Sequence, residues 1–221
     1  MSHGRRLDRL TRWVACAGPL LFLAVATAQG WLRPGYDPIA QPISALALGP
    51  RGWVQEVNFG VLAGALATFA LVLRRDLRGG VGAVVGPAVI LLMAIGVALA
   101  GVFPMDEPGA PATATGRLHV LGGFLVFPWM PVVLLHVGRR FRRDRRWRPY
   151  HASTVILGLL SAATIAFFLL FVGVPGASAP RLATHLAGLV QRIQLFPFLL
   201  WVALVALRAR PAAEEGVVPA R

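Results

Sequence analysis

"VGAVVGPAVILLMAIGVALAGVF", residues 81–103, is the stretch that decides the fold class of this chain. It contains no charged residue and is rich in Val, Leu, Ile and Ala. A helix of about 20 apolar residues crosses the hydrocarbon core of a bilayer. Lipid offers backbone polar groups no partner, so such a run has to satisfy them within its own helix. The stretch is therefore predicted to be a transmembrane helix.

Five further apolar runs of similar length lie on either side of it, and we number all six as spans 1 to 6. They cover residues 13–32, 53–73, 81–103, 118–137, 152–174 and 183–207. None shows the period-two alternation of a membrane β-strand. With 57% hydrophobic and 14% charged residues, the composition also excludes an ordinary soluble domain. The sequence thus predicts an all-α, six-helix transmembrane bundle over residues 13–207.

The arginines predict how this bundle is oriented. The 22 basic residues are all Arg, and most of them lie on one side of the predicted membrane. They fill the N-terminal segment 1–12, follow span 2, crowd the loop Arg139–Arg148 and recur in the final segment 208–221. By the positive-inside rule, both termini are cytoplasmic and the loop after span 1 is external. We expect a multi-pass protein of the plasma membrane whose last segment, 208–221, is a disordered tail.

The net charge of +13 follows the same sorting. Because the charge lies along one membrane face, it indicates membrane topology and not nucleic-acid binding. The bilayer is thus the main expected partner. The loop Arg139–Arg148 is either a topology determinant alone or a site for anionic lipid head groups. A homo-oligomer is left open, because nothing in the sequence decides the number of copies.

The connector between spans 1 and 2, "RPGYDPIAQPISALALGP" (33–50), is polar and rich in proline. Pro and Gly at this density predict ordered turns instead of a folded external domain. We expect the connector to be a Pro-stiffened cap over the outer mouth of the bundle. Inside span 4, Pro128 and Pro131 remove backbone donors, so this span is expected to bend most. Close helix packing is expected at Gly60, Gly64, Gly82 and Gly86, which lie in spans 2 and 3.

Polar side chains at membrane depth are costly, so they are the strongest indication of a functional site. Most of them map to the connector side of the bundle. Six form the predicted outer polar pocket: Asp37, Ser44, Asn58, Asp106, His119 and His185. Asp37 and Ser44 have the alternative of a turn or helix-capping role. Asp106 could be a solvated loop residue or pair with Arg117, and the two histidines could be interfacial hydrogen-bonders.

Arg192 is harder to explain, because it lies well inside span 6. Its long side chain could extend toward the outer interface. The alternative is an intramembrane ion pair with Glu56, which would join spans 2 and 6.

Four motifs give the chain a family resemblance. They are "GYDPIAQPISALALG" (35–49), "NFG" (58–60), "GVFPMDE" (101–107) and "GRLHVLGG" (116–123). As a set they resemble the domain-of-unknown-function nine-nine-eight family of bacterial and archaeal multi-pass membrane proteins, over residues 13–207. The resemblance implies the six-helix layout and supplies no catalytic residue. The positions that carry it include Asp37, Ser44, Asn58, Asp106 and His119, which are members of the predicted pocket.

The sequence leaves the biochemical role undetermined between several classes. In the first, the polar cluster is architectural and the protein is not an enzyme. In the second, the pocket belongs to a lipid-directed membrane hydrolase, with Asp37, Asp106, His119 and His185 around Zn²⁺ and with Ser44 or a water molecule reacting. No two of these ligands share a local metal spacing. Metal binding is therefore left unassigned.

Two further classes remain open. Proline-broken helices together with Glu56 and Arg192 would suit a transporter or channel component, which would need a second copy of the chain. A haem between His119 and His185 would make the protein an electron carrier. The sequence therefore assigns no cofactor.

Overall fold

The computed structural model describes residues 3–77, 82–172 and 184–209, and in these ranges every regular element is a helix. The longer helices are α1 (His3–Leu32), α2 (Gly52–Asp76), α3 (Gly82–Val102), α4 (Ala114–Phe124), α5 (Trp129–Phe141), α6 (His151–Phe167) and α7 (Ala187–Arg208). Short 3₁₀ turns occupy Ile43–Ala47, Arg148–Tyr150 and Thr184–Leu186, and a π-helical turn, Phe168–Val172, extends α6.

Six helical segments are long and apolar enough to cross a membrane. They are Leu7–Leu32, Gly52–Asp76, Ala83–Val102, Ala114–Phe141, Arg148–Val172 and Thr184–Arg208. The prediction of an all-α bundle with six spans is therefore confirmed, and the chain is a multi-pass membrane protein. The helix α1 begins at His3, so it includes most of the predicted basic segment 1–12. Arg208, the first residue of the predicted tail 208–221, ends α7, and the tail beyond Ala209 lies outside the described residues.

The helices form a closed ring in which each span packs against the next and α7 returns to α1. Span 4 contributes to the ring as α4 and α5, both of which contact α3, and α2 also touches α7. One apolar core lies between the helices, with Phe22, Phe69 and Phe198 among its buried side chains. Large apolar side chains such as Leu71 and Leu160 are exposed on the outside. Lipid accommodates such a surface, because its tails are as apolar as Leu.

Small residues allow the closest helix approaches. A Cβ atom on Gly18 of α1 would collide with Ala65 of α2. A Cβ atom on Gly96 of α3 would lie 2.6 Å from the carbonyl oxygen of Gly122 in α4. Without side chains at these positions, the paired helix backbones can touch.

The glycines predicted for this role behave differently from one another. A Cβ atom on Gly86 would lie 3.1 Å from Val137 Cγ2 of α5, so this glycine does occupy a tight contact. Gly60 and Gly64 are exposed, and a Cβ atom added at either would meet nothing within 4 Å, so the prediction for these two was wrong. Glycine spacing defines a stripe on a helix but not the side that faces a neighbour. The surroundings of Gly82 lie outside what the structure describes.

Span 4 is broken where its prolines predict a bend. The helix α4 ends at Phe124 and α5 begins at Trp129, with a turn between them. Pro131 has no N–H, so the carbonyl of Phe127 loses its usual α-helical donor and keeps only a longer backbone bond, from Met130 N–H at 3.3 Å. Gln194 of α7 supplies another donor, with Nε2 3.0 Å from Phe127 O. The predicted bend is confirmed, and a buried amide from another helix holds the break.

The loop after α5 folds back onto one end of the bundle. We term this the arginine-rich end; it consists of the start of α1, the ends of α2 and α7, and the α5–α6 loop. Trp147 is buried there and stacks on Phe141, with ring centroids 4.7 Å apart. Its Nε1 donates to Asp76 Oδ2 at 2.7 Å, and Arg146 Nη1 lies 2.9 Å from Asp76 Oδ1. The opposite end of the ring carries the connector, and we term it the connector end.

Candidate functional site

The connector of residues 33–50 is a folded part of the bundle. Its 3₁₀ turn, Ile43–Ala47, is buried and packs against α1, α2 and α7. Ile43 and Leu46 are each 1% exposed and belong to the main apolar core. Apolar side chains of the connector thus anchor it by ordinary core packing.

Arg192 of α7 binds the connector with its guanidinium group. Nη1 donates to the carbonyl oxygens of Pro38 at 2.6 Å, Gln41 at 3.1 Å and Gly188 at 3.1 Å. Nη2 donates to the hydroxyl of Tyr36 at 2.6 Å, and the guanidinium carbon lies 5.6 Å from the centre of that ring. Arginine suits this contact because its planar fork carries several fixed donors and stacks on aromatic faces. One charged side chain therefore holds three positions of the connector.

The structure does not bring Glu56 and Arg192 together as an ion pair. Prolines in the connector supply no N–H groups, which favours bonds from other segments to its carbonyls. The carbonyls of Pro38 and Gln41 are the acceptors that the guanidinium meets beside the first turns of α7. Arg192 is thus stabilised by backbone dipoles and not by the carboxylate of Glu56. Ion pairs of the described residues, for example Asp8 with Arg75, lie at the arginine-rich end.

Tyr36 connects Arg192 to the connector backbone. Its hydroxyl accepts from Arg192 and donates to Pro42 O at 3.0 Å. Burial raises the pKa of Tyr36 above its usual value, and the bond from Arg192 opposes this shift only in part. The phenol is therefore neutral at physiological pH and retains the proton that it donates.

Two further contacts fix the connector to α7. Gln191 Oε1 accepts the backbone N–H of Ile43 at 2.6 Å, and the N–H of Leu189 donates to Ile39 O at 2.9 Å. Leu189 lies in the first turn of α7, where helix N–H groups have no partner within the helix. The start of α7 and the connector therefore satisfy each other's backbone groups.

The end of α1 holds the other side of the connector. Gln29 Nε2 donates to Leu46 O at 3.2 Å and to Arg51 O at 3.1 Å. Arg33 Nη1 donates to Ala45 O. With the α7 contacts on the far side, the connector is bonded between the end of the first helix and the start of the last.

Two residues of the predicted pocket lie within the connector. Asp37 is exposed, its Oδ1 accepts the N–H of Ile39 at 2.8 Å, and its own N–H donates to Gln41 Oε1 at 3.1 Å. Asp commonly forms such a turn with the backbone two residues ahead. Ser44 is buried within the 3₁₀ turn. Asp37 thus shapes a turn, and Ser44 is enclosed by the core.

Asn58 of α2 joins two helices. It is buried, and its Nδ2 donates to Phe22 O of α1 at 3.1 Å and to Gln55 Oε1 at 3.3 Å. Gln55 is fully buried, and its Nε2 has no hydrogen-bond partner in the described part of the chain. Asn58 is therefore a cross-link between α1 and α2 within a buried pair of amides.

Asp106, in the loop between α3 and α4, caps the start of α4. Its Oδ1 accepts the hydroxyl of Thr113 at 2.6 Å, and its Oδ2 accepts the N–H of Thr113 at 3.0 Å. Thr113 is the N-cap residue, and its Oγ1 accepts the N–H of Gly116 at 3.0 Å. A Cβ atom on Gly116 would collide with the Asp106 carboxylate. The hydrogen bonds from Thr113 hold the pKa of Asp106 below its usual value.

His119 ties α4 to the end of α3. The half-buried ring has Nδ1 2.8 Å from Phe103 O. That carbonyl lies just beyond α3, where the helix provides no N–H donor for a carbonyl oxygen. The ring N–H of His119 is the donor that it receives. His185 is exposed in the 3₁₀ turn before α7. The two predicted histidines therefore lie in different surroundings.

The residues of the predicted pocket are thus spread over separate places: Asp37 and Ser44 lie in the connector, Asn58 between α1 and α2, Asp106 and His119 in the α3–α4 hairpin, and His185 before α7.

The polar contacts of this end form two clusters. The connector cluster comprises Tyr36, Gln41, Gly188, Gln191 and Arg192, and the hairpin cluster comprises Phe103, Asp106, Thr113, Gly116 and His119. Hydrogen bonds join residues within each cluster, and none of those described joins one cluster to the other. Over the ranges that the structure describes, no three His, Cys, Asp or Glu side chains come close enough to hold a metal ion. Asp37, Asp106, His119 and His185 are therefore not assembled as the predicted zinc site in these ranges.

Most of the connector cluster does not stand out in the sequence. Tyr36, Gln41 and Gly188 are residue types common in loops and at helix ends. A usable signal nevertheless exists, because a proline-rich connector has fewer N–H groups for its own carbonyls and an Arg placed well inside a span supplies several donors. That signal predicts contact between the connector and Arg192, but not which carbonyls are bound.

Comparison with known proteins identifies the family of this chain. No curated protein and no solved structure matches it. The family described as "Protein of unknown function (DUF998)" matches residues 16–208, a range that includes both clusters. The match confirms the resemblance carried by the motifs of the connector and of the α3–α4 hairpin. The chain belongs to the DUF998 family of proteins of unknown function.

Proposed function

We propose that the protein is a non-catalytic protein of the plasma membrane in which the polar residues at the connector end are architectural. The observation that carries this proposal is the guanidinium of Arg192, whose hydrogen bonds hold the connector and its own helix. A catalytic or ligand-binding arginine would instead direct donors into an open site. In this proposal, the connector itself is what the polar residues bind.

The other polar residues of this end support the same interpretation. Asp106 caps α4, His119 binds the end of α3, and Asn58 links α1 to α2. Each of these side chains is bonded to another part of the protein, as buried and half-buried polar groups generally are. The proposed role of the cap is to keep this mouth of the bundle closed and to present a fixed surface there.

We also propose that the connector end is external and the arginine-rich end cytoplasmic. Arg74, Arg75, Arg208 and the loop Arg139–Arg148 all belong to the end opposite the connector. The positive-inside rule then favours this orientation. The exposed arginines of the loop are proposed contacts for anionic head groups.

Trypsin tests the architectural proposal, because it cleaves after Arg and the Arg51–Gly52 bond lies where the connector meets α2. Cleavage at this bond should be slow in the native protein, since the Arg51 carbonyl is bonded to Gln29 of α1. Arg192→Gln should lower the melting temperature, by an amount equivalent to about 1.5–3 kcal/mol for lost bonds to a charged group. It should also speed cleavage after Arg51.

Arg117→Gln is the matched control, because Arg117 is an exposed arginine at the same end. This variant should match the wild type in both stability and cleavage rate. Wild-type stability together with wild-type cleavage in Arg192→Gln would refute the proposal.

A transporter or channel component is the second candidate, and the break in span 4 favours it. Non-helical backbone at membrane depth is tolerated where it is buried in protein or lines a polar path. Buried polar side chains surround this break, with Gln194 Nε2 3.4 Å from Ser161 Oγ and 3.0 Å from Phe127 O. Flux of protons, Na⁺, K⁺ or Cl⁻ into protein-containing liposomes, abolished by Gln194→Leu, would support it. Flux no faster than in empty liposomes would count against it.

The lipid hydrolase has less support. It needs Asp37, Asp106, His119 and His185 around one metal ion. Asp37 bonds to the connector, Asp106 and His119 bond within the α3–α4 hairpin, and His185 is exposed before α7. We therefore propose no catalytic residue.

A further inference from the structure

A cavity of about 320 Å³ lies between α1 and α7 at the arginine-rich end, away from both clusters. It is lined by Arg9, Arg12, Trp13, Cys16 and Leu207. Small-molecule sites in proteins begin at about this volume, roughly 300 Å³. The cavity is therefore within the size range of a binding site.

The helical period brings the α1 lining residues to one face. Arg12 and Trp13 lie three and four residues after Arg9, and Cys16 lies four and three residues after them. Such spacings place side chains on the same side of a helix. The last turn of α7 forms the opposite wall. Arg12 Nη2 donates to Leu207 O at 2.8 Å, a carbonyl too near the helix end to have a helical partner. Arg12 is thus held at the edge of the cavity.

Arg12 contributes a permanent positive charge to the wall of the cavity. An anionic oxygen is the acceptor that such a group binds best, because charge-assisted bonds to a guanidinium are stronger than neutral ones.

No acidic side chain lines the cavity to neutralise its two arginines. Asp8, the neighbour of Arg9 in the chain, is paired with Arg75 of α2 at 2.9 Å. Arg9 and Arg12 therefore make the cavity electropositive and attractive to anions. An anion between them would also relieve the repulsion of two like charges.

The rim of the cavity has the character of a membrane interface. Trp13 is 57% exposed and Leu207 is 50% exposed, although both side chains are large and apolar. Trp is enriched where the bilayer core meets water. The exposed apolar surface of α1 continues into the span with Val14 and Leu21. This surface is suited to acyl chains.

We infer that this cavity binds the phosphate group of an anionic phospholipid, with the phosphate on Arg9 and Arg12 and the acyl chains along α1. The site is separate from the exposed arginines of the loop Arg139–Arg148. It rests on the cavity and its charge, and it is independent of the proposed role of the connector end.

Cys16 provides a direct test, because it lines the cavity and is the only cysteine in the chain. Its reaction with methyl methanethiosulfonate, a small uncharged reagent, is followed by intact mass on the full chain in detergent. The additions are phosphatidic acid, diacylglycerol with the same acyl chains, and inorganic phosphate at the same concentration. Phosphatidic acid alone should slow the reaction, by about ten-fold or more.

The two controls decide what the cavity recognises. Equal protection by diacylglycerol would overturn the role of the phosphate. Protection by inorganic phosphate as strong as that by phosphatidic acid would assign the cavity to a free anion and overturn the lipid inference. No protection by any of the three would overturn the site itself.

Variants identify the residues involved. Arg9→Gln/Arg12→Gln should abolish protection by phosphatidic acid, whereas Arg142→Gln/Arg143→Gln, which removes two exposed arginines of the same end, should retain it. Because Arg12 also bonds to Leu207, Arg9→Gln alone serves if the double variant does not fold. It should weaken protection about five-fold.

Native mass spectrometry gives a second readout that does not depend on Cys16 reactivity. Wild type and Arg142→Gln/Arg143→Gln should each retain one phosphatidic acid molecule, and Arg9→Gln should lose most of it. Equal retention by Arg9→Gln and wild type would overturn the inference.

Discussion

Gly188 of α7 and Gln41 of the connector are in direct backbone contact, so close that a Cβ atom on Gly188 would collide with the Gln41 carbonyl. The same atom would lie 2.6 Å from Pro38 O. Arg192, one turn further along α7, binds both of these carbonyls. Glycine and arginine at this spacing act together, since the first allows the connector to approach and the second bonds it.

Gly188→Ala is expected to displace the connector from α7. The added methyl group overlaps two carbonyl oxygens, and overpacking of this kind typically destabilises by about 1–3 kcal/mol. The melting temperature should fall and trypsin cleavage after Arg51 should become faster. Gly60→Ala is the matched control, since Gly60 lies inside α2 and a Cβ atom added there would meet nothing within 4 Å. If Gly188→Ala proved as stable as Gly60→Ala, the close contact would be contradicted.

Arg192→Lys tests whether the connector is held by the planar guanidinium group with its several donors or only by the positive charge. Lysine keeps the charge but cannot reach the Tyr36 hydroxyl and the Pro38 carbonyl together, so a loss of about 1.5–3 kcal/mol is expected. Tyr36→Phe removes the hydroxyl that Arg192 binds at 2.6 Å. In a double-mutant cycle of unfolding free energies, the two changes should be non-additive by about 0.5 kcal/mol or more. Strict additivity would show that the two side chains do not interact.

Asp106 should give the bundle a pH-dependent part of its stability. Bonds from Thr113 lower the pKa of this carboxyl in the folded protein, whereas in the unfolded chain it is about 3.9. The ionised carboxylate therefore stabilises the fold above the unfolded pKa. This contribution is lost as pH falls through the folded pKa. Melting temperatures of wild type and Asp106→Asn should differ at neutral pH, and the difference should shrink as pH falls below the unfolded pKa and through the lowered folded pKa.

Glu107→Gln controls for the loss of any carboxylate from this loop, because Glu107 is an exposed neighbour of Asp106. It should melt like the wild type at neutral pH. A difference between wild type and Asp106→Asn that remained undiminished in acid would show that the charge of Asp106 does not stabilise the start of α4.

The spans are predictable from sequence because length and hydropathy alone decide which segments cross a bilayer. The break in span 4 is predictable for a similar reason, since Pro128 and Pro131 remove donors whatever surrounds them. The partner of Arg192 is not, because an acid such as Glu56 is visible in a sequence whereas a carbonyl is present at every residue. The choice between these acceptors depends on which segments are neighbours. Whether the connector lies beside the α3–α4 hairpin also depends on which helices are neighbours in the ring, so the sequence does not show that Asp37 and Ser44 are separate from Asp106 and His119.

The break in span 4 should depend on Gln194. Gln194→Leu leaves the Phe127 carbonyl without this donor and should destabilise the protein by about 1–3 kcal/mol. Pro131→Ala restores the N–H that the carbonyl would use in a continuous helix. In that background, Gln194→Leu should be less destabilising, as measured by thermal unfolding in detergent. An unchanged effect of Gln194→Leu would mean that the amide does not replace the missing helical donor.

Cysteine labelling checks the proposed orientation. In a Cys16→Ser background, Ala112→Cys should react with an impermeant maleimide on intact cells, since Ala112 is exposed in the α3–α4 loop. Asp144→Cys, in the exposed part of the α5–α6 loop, should react only after permeabilisation. The reverse pattern would contradict an external connector.

The closed ring has a consequence for the order in which the chain is completed during synthesis. The helices α1 and α7 are neighbours, although one is made first and the other last. The carbonyls of Pro38 and Gln41 receive Arg192 only when α7 arrives. Because chains emerge from the N-terminus, these carbonyls have to be solvated by water until the final span is inserted. Insertion of α7 therefore closes the ring and binds the connector in one step. A chain that stopped before α7 would leave α1 without this neighbour and the connector without its bonds from Arg192.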